Sequence, residues 1–331
     1  MSDLLPIIDR FSQLKIAVWG DFILDEYLYG FTRRISREAP VLILSYQRRE
    51  FSLGGAGNAS LNLAALGVSV KAIGVTGADS AGRTVRRILR RHGVSDASLF
   101  AERSFATPLK TRILAGEENT KKQQILRIDR DGAVPEIMAL RAKMRRALAR
   151  AARTCDALIL SDYHFRTVDE RLFAAVLPAF QKAGRPVTLD SRFRLTRFPG
   201  VTTATPNEPE VEEALKVHLG DDLQALKDSG RRLLKILRSP ALLITRGSKG
   251  MALFERGKRP YLLPVQGSTD IVDVTGAGDT VISVFAAAMA AGASYRQATR
   301  LANCAGGLVV MKKGTATVGP DELRKAVASE R

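Results

Sequence analysis

Apolar residues fall along this chain in short solid runs separated by stretches of helical spacing. KIAVWGD (15–21) is the first such run, and VKAIGVTG (70–77), CDALILSD (155–162), PVTLD (186–190) and ALLITRG (241–247) repeat it. A run that is apolar at nearly every position reads as a strand buried on both faces. Between the runs lie ASLNLAALG (59–67), DERLFAAVLPAFQKAG (169–184) and DLQALKDSGRRLLKIL (222–237), whose apolar positions recur with helical period. Strand and helix in alternation predict an α/β fold with a mostly parallel central sheet covered on both sides. Ligands of such sheets gather at the carboxyl ends of the strands. Here those ends read Asp21, Asp162 and Asp190, so three carboxylates are expected to face one crevice.

Two segments break the alternation. Residues 27–53 and 105–128 have strand-like patterning, carry charges and contain no helix. They are expected to form a small excursion sheet lying over the crevice. No Pro/Ser/Gly-rich linker interrupts the 331 residues, so one domain spanning 1–331 is expected.

Composition adjusts this picture at three points. A formal net charge of +17 raises the question of nucleic acid, and much of it comes from RTVRRILRRH (83–92) and RAKMRRALARAAR (141–153). Both fit amphipathic helices, with Val85, Ile88 and Leu89 in one and Met144, Ala147, Leu148 and Ala151 in the other facing inward. Interleaved aromatics, a helix-turn-helix pattern and a zinc motif are lacking, which disfavours a nucleic-acid-binding protein. The charged N-terminus, MSDLLPIIDRFSQLK, lacks a signal-peptide core, and Val281–Ala291 is about half of the roughly 20 residues a membrane span needs. Cys155 and Cys304 lie far apart in apolar surroundings and read as structural thiols in a reducing cytoplasm.

The chemistry concentrates in two glycine turns that run into helices. In DVTGAGDT (273–280), Gly276, Ala277 and Gly278 let backbone N–H groups turn toward one point at a helix N-terminus, where an anion is favoured. Asp279 among those donors either caps the helix or accepts a proton from a hydroxyl held nearby. In SLGGAGNASLNLAALG (52–67), Gly54 and Gly55 permit close backbone approach, and Asn58 offers a donor and an acceptor to sugar-like hydroxyls.

Together, GGAGNASLNLAALG and DVTGAGDT resemble the two signatures of the PfkB (ribokinase-like) sugar kinases, and the likeness covers essentially the whole chain. The resemblance implies a three-layer ribokinase-like fold with a β lid, and ATP-dependent phosphorylation of a sugar hydroxyl. GDFILDEYLYG, RISREAPVLIL, LSDY, TPNEPEVE and DVTGAGDTVISV look like the branch that phosphorylates D-glycero-β-D-manno-heptose 7-phosphate at O1, a lipopolysaccharide precursor step. By position, the resemblance makes Asp279 the base and the backbone of Gly276, Ala277 and Gly278 the holder of the transferring phosphoryl group. Asp25 becomes the sugar-hydroxyl ligand beside Gly54, Gly55 and Asn58, with Asp21 a weaker companion and Asp162 in the same crevice.

Asn207 and Glu210 match the family's N-x-x-E element, which organises Mg²⁺ largely through water, while a capping box explains the same spacing. Thr245, Arg246, Gly247, Gly250 and Asn303 match nucleotide contacts, and a plain hairpin accounts equally for RGSKG. Asp273 and Thr275 resemble the part of the fold that often binds a monovalent cation such as K⁺. A homodimer formed through the lid is the family expectation.

The heptose branch commonly reads SDYxKG and DPK where this chain has SDYHFR (161–166) and LDSRF (189–193). Arg166 and Arg192 keep positive charge near those lysine positions, with arginine's forked geometry. Because the chain ends at Arg331 just after PDELRKAV, phosphorylation without a following nucleotidyl transfer is expected. Two alternatives stay open: another kinase of the family acting on a ketose, ribose or nucleoside, and, from another class, a noncatalytic sugar sensor or a nucleic-acid-binding protein.

Overall fold

The structure, a computed structural model, describes residues 3–117, 122–266 and 272–329. Its strands in chain order are β1 (Lys15–Gly20), β2 (Phe22–Ile35), β3 (Leu42–Gly55), β4 (Ser69–Gly77), β5 (Ser95–Glu102), β6 (Leu109–Gly116) and β7 (Gln123–Arg130). They continue as β8 (Ala157–Asp162), β9 (Val187–Ser191), β10 (Thr203–Ala204), β11 (Ala241–Thr245), β12 (Met251–Glu255) and β13 (Tyr261–Leu263). The central sheet has the order β10-β9-β8-β1-β4-β5 with every pairing parallel. An antiparallel sheet, β11-β12-β13, joins it through a parallel bridge between Asn207 and Thr245.

Period-2 geometry divides the core into two layers. On β1, Ile16 and Val18 face one hydrophobic cluster and Ala17 and Trp19 the other. The first cluster takes in the helices Ala56–Ala65, Ser80–Arg91, Ala277–Ala290 and Tyr295–Val309; the second takes in Met138–Thr154, Glu170–Lys182 and Leu223–Leu237. Both basic segments are amphipathic helices: Val85 and Leu89, and Met144, Leu148 and Ala151, are buried. Cys155 and Cys304 are both buried as well. Among the described residues, no helix is long and apolar enough to cross a membrane.

The excursions form a second sheet, ordered β3-β2-β6-β7, with β2 and β6 parallel and both outer pairings antiparallel. Its roots differ from the sequence expectation. β2 begins at Phe22, directly after β1, because Phe22, Ile23 and Leu24 are buried at the junction of lid and core; β3 ends only at Gly55, where the helix Ala56–Ala65 starts. The second excursion begins at Leu109, and its residues 118–121 lie outside the described residues. β5 escaped the pattern of solid apolar runs because it is the sheet's edge, with Leu99 its one fully buried position.

Candidate active site

A cavity of about 310 Å³ opens where the lid meets the carboxyl end of the central sheet. Its walls bring together both glycine turns: Gly54 and Gly55 from the end of β3, and Thr275, Gly276, Gly278 and Asp279 from the start of the helix Ala277–Ala290. Asp25, Asp190, Arg192, Asn207, Glu210 and Thr245 also line it.

Asp279 is 5% exposed and stands in the first turn of its helix. Asn58 Nδ2 donates to its Oδ2 at 2.7 Å, and the Tyr163 hydroxyl donates to Oδ1 at 3.4 Å. Burial pushes its carboxyl up to about 7; the Asn58 and Tyr163 donors pull it down, and the charges of Asp25 and Glu210 add to the rise. A carboxylate held there is poised to take a proton at neutral pH. The N–H of Ala277 is committed to Val274 O at 3.2 Å, whereas among the described residues no acceptor pairs with the N–H of Gly278 or Asp279. The anion cradle is therefore narrower than the three glycine-turn residues expected: Ala277 contributes no free donor and does not line the cavity.

Asp25 projects from β2 and is paired with Arg112 of β6 at 2.5 Å. Asp25, Tyr27, Lys110 and Arg112 share one lid face by register, and Arg112 stacks over the Tyr27 ring at 5.3 Å. Gly54 leaves room for this carboxylate, since a Cβ there would lie 2.7 Å from Asp25 Oδ2 and the carboxylate would have to shift.

The three-carboxylate crevice is corrected by the structure. Asp190 lines the cavity, but Asp21 and Asp162 do not. Asp21 accepts the backbone N–H groups of Tyr163, Phe165 and Thr167 at 2.8, 3.1 and 3.2 Å, fixing a loop in which His164 and Arg166 adopt positive φ. Asp162 is held by Ser191 Oγ at 2.7 Å and by the guanidinium of Arg194. Both carboxylates organise the cavity's floor. Asn58 is likewise engaged with Asp279 and does not line the cavity, so its expected place among the sugar's ligands is corrected too.

Asn207 and Glu210 realise the capping-box reading and also face the cavity. Asn207 Oδ1 accepts from Glu210 N at 2.8 Å and Glu210 Oε2 from Asn207 N at 2.9 Å, a complete capping box, while both residues line the cavity. Burial raises the Glu210 carboxyl, and desolvation together with the charge of Glu210 raises Asp190 well above the usual range. Oxygen donors in an anion-crowded corner fit Mg²⁺, which retains waters and needs few protein ligands.

Of the nucleotide residues, Thr245 lines the cavity and the others do not. Arg246 Nε donates to Glu208 Oε1 at 2.8 Å, Gly247 and Gly250 form the β11-β12 hairpin, and Asn303 Nδ2 donates to Pro264 O at 2.8 Å. Asp273 accepts from the N–H of Thr275 and of Gly314, tying the glycine turn to the segment after Val309. Arg166 is exposed and lies away from the cavity, in a separate cleft with Arg141, Arg171 and Arg194. Sequence reasoning missed Tyr163, Lys110 and Arg112. The two cations in PLKTRIL are spaced i, i+2, which on a strand puts them on one face and was the available signal.

The sequence of residues 13–322 matches the pfkB family carbohydrate kinases. The chain belongs to this family. Bifunctional protein HldE of Desulfatibacillum aliphaticivorans is 38% identical over 322 residues, covering 96% of the chain and 64% of that relative. HldE of Nitrosococcus oceani is 40% identical over 324 residues, covering 97% and 65%. The chain thus spans a little under two thirds of the curated relatives it matches. Among solved structures, Arabidopsis thaliana ribokinase complexed with ribose and ATP superposes with a TM-score of 0.75 at 23% identity, covering 95% of this chain and 98% of that one. Phosphofructokinase-2 of Escherichia coli with fructose-6-phosphate gives 0.72 at 17% identity, covering 95% and 98%. These likenesses establish the ribokinase-like fold, and the family establishes an ATP-dependent phosphotransferase acting on a sugar hydroxyl.

Proposed function

We propose that this pfkB-family kinase phosphorylates a heptose 7-phosphate at O1. Asp279 takes the proton of the attacking hydroxyl, Asp25 orients the sugar, and the N–H groups of Gly278 and Asp279 receive the transferring phosphoryl group. Asn207 and Glu210 would hold Mg²⁺, which would neutralise phosphate charge, Asp273 and Thr275 would flank a monovalent cation, and the lid would exclude water from the reacting centre.

One observation carries the narrower substrate. A second chamber of about 510 Å³ shares Lys110, Tyr163 and Arg192 with the cavity and is lined further by His164, Phe165 and Phe193, with Asp129 and Asp131 on its walls as well as the cations. We assign the far end of a seven-carbon phosphosugar to the chamber's two cations, Lys110 and Arg192, and Arg192 occupies the last position of the heptose branch's DPK element. The bifunctional relatives agree with this reading. Exposed Tyr46, Leu126 and Ile128 on the lid's outer strands support its pairing with a second copy of the chain.

A substrate panel with ATP and Mg²⁺ tests the proposal. Heptose 7-phosphate is expected to exceed dephosphorylated heptose, fructose and ribose in kcat/KM. Arg192→Ala is expected to raise KM for the phosphorylated sugar about 100-fold, the value of one or two charge-assisted hydrogen bonds. Preference for ribose or fructose, or an Arg192→Ala effect equal on phosphorylated and unphosphorylated sugars, would overturn it.

A further inference from the structure

The two glycine motifs meet through a line of buried side chains, those of Thr280, Asn62 and Asn58, that do not line the cavity. Thr280 Oγ1 donates to Asn62 Oδ1 at 2.8 Å. Asn62 Nδ2 donates to Asn58 Oδ1 at 3.2 Å and to Asn58 O at 3.0 Å. Asn58 Nδ2 donates to Asp279 Oδ2 at 2.7 Å. Thr280, Asn62 and Asn58 are all 1% exposed or less.

The direction of this line follows from its chemistry. An ionised carboxylate only accepts, so the nitrogen of Asn58 must face Asp279 and its oxygen must face away. That oxygen needs a donor, which Asn62 supplies. The Asn62 oxygen then needs one in turn, and a hydroxyl that can rotate, that of Thr280, stands there. Each amide is thereby held in the one orientation that points a donor at the carboxylate. The chain closes on itself, because Thr280 directly follows Asp279 on the same helical turn while Asn58 and Asn62 sit one turn apart on the helix Ala56–Ala65.

We infer that Thr280, Asn62 and Asn58 form a one-way donor relay that positions the carboxylate of Asp279 and holds it in its proton-accepting form, making Asn58 a positioning residue for the transfer. The inference rests on Asp279 being the base. It accounts for an otherwise odd feature of the site: the charges of Asp25 and Glu210 line the same cavity as Asp279 and oppose its ionisation, while the cations there, Lys110, Arg112 and Arg192, stand on the lid and after β9. Arg112 is already paired with Asp25. Besides the relay, among the described residues only the Tyr163 hydroxyl, at 3.4 Å, reaches the Asp279 carboxylate directly. A fixed donor at 2.7 Å is the nearest counterweight.

The test is the pH dependence of kcat in four variants, with thermal melting as a control for folding. Asn58→Ala is expected to move the acid limb of kcat upward by about one pH unit, the effect of losing one charge-assisted hydrogen bond, so that activity lost about tenfold at low pH returns on the alkaline side. Thr280→Val keeps the shape and removes the hydroxyl. It is expected to move the limb in the same direction by roughly a third of that, since it acts through two intervening amides. Thr280→Ser, which restores the hydroxyl, should return the limb to its wild-type position. KM for ATP should stay unchanged throughout. Should Asn58→Ala fail to fold, the Thr280 pair carries the test alone. A uniform loss of kcat at every pH with the limb unmoved would reduce the relay to packing and overturn the inference. Asp279→Asn separates the two levels: if it stays active, the assignment of the base fails; if it is inactive while the limb is unmoved in the relay variants, only the relay fails.

Discussion

Asp279→Asn is expected to lower kcat by about 10³-fold and, in the same protein, to raise the melting temperature by several degrees. The first effect follows from removing the carboxylate proposed to take the hydroxyl proton in the cavity. The second follows from burial. A carboxyl raised from an ordinary 3.8 to about 7 binds its proton more tightly in the folded chain than in the unfolded one. Its contribution to stability is therefore greatest below the unfolded value and is lost as pH rises from about 4 through about 7. At pH 8 the wild type carries the full penalty of a buried charge, on the order of 4 kcal/mol as an upper limit, and the neutral amide removes it. The advantage of Asn over Asp should shrink as pH falls toward 4. An assay of ADP release and calorimetry at pH 5 and pH 8 measure both halves. Activity within tenfold of wild type, or a melting temperature that falls at pH 8, contradicts the role given to this residue.

The same burial explains how much of the fold and the site was legible in the sequence. Solid apolar runs marked β1, β4, β8, β9 and β11 within two residues or so, because strands covered on both faces leave no other pattern. Glycine turns at helix starts gave Asp279, Gly54 and Gly55 their neighbourhood, since few other uses exist for such a turn. What could not be read was how buried polar groups choose partners. Asp21, Asp162 and Asn58 have the right residue types at the right strand and helix ends, yet each is claimed by protein: a loop's N–H groups, Arg194 and Asp279 respectively. An acceptor at a strand end looks the same in sequence whether it meets a ligand or an arginine. Lys110 and Arg112 were hidden for the opposite reason. They belong to a sheet whose residues come together only when β6 docks parallel to β2 across some 85 residues of chain, and that pairing leaves no local trace.

Gly276→Ala should produce the second large effect, a loss of about 100-fold in kcat with about 2 kcal/mol of stability, although alanine is the smallest change available. Gly276 sits at φ +80°, where an L side chain is strained by about 1 kcal/mol even without a clash. Its new Cβ would stand 2.5 Å from Asn58 Nδ2. That amide cannot retreat, because its oxygen is held by Asn62, which is held by Thr280. The methyl group must therefore push the donor off Asp279 or shift the turn that carries the N–H groups proposed to face the phosphoryl group, and either displacement acts on the proposed reacting centre. Gly278 provides the contrast two residues on: a Cβ there meets no atom within 4 Å. Gly278→Ala should keep the wild-type melting temperature. Equal loss of stability in the two variants would show that the turn merely dislikes side chains, whereas a loss confined to position 276 traces the glycine to the amide it leaves room for.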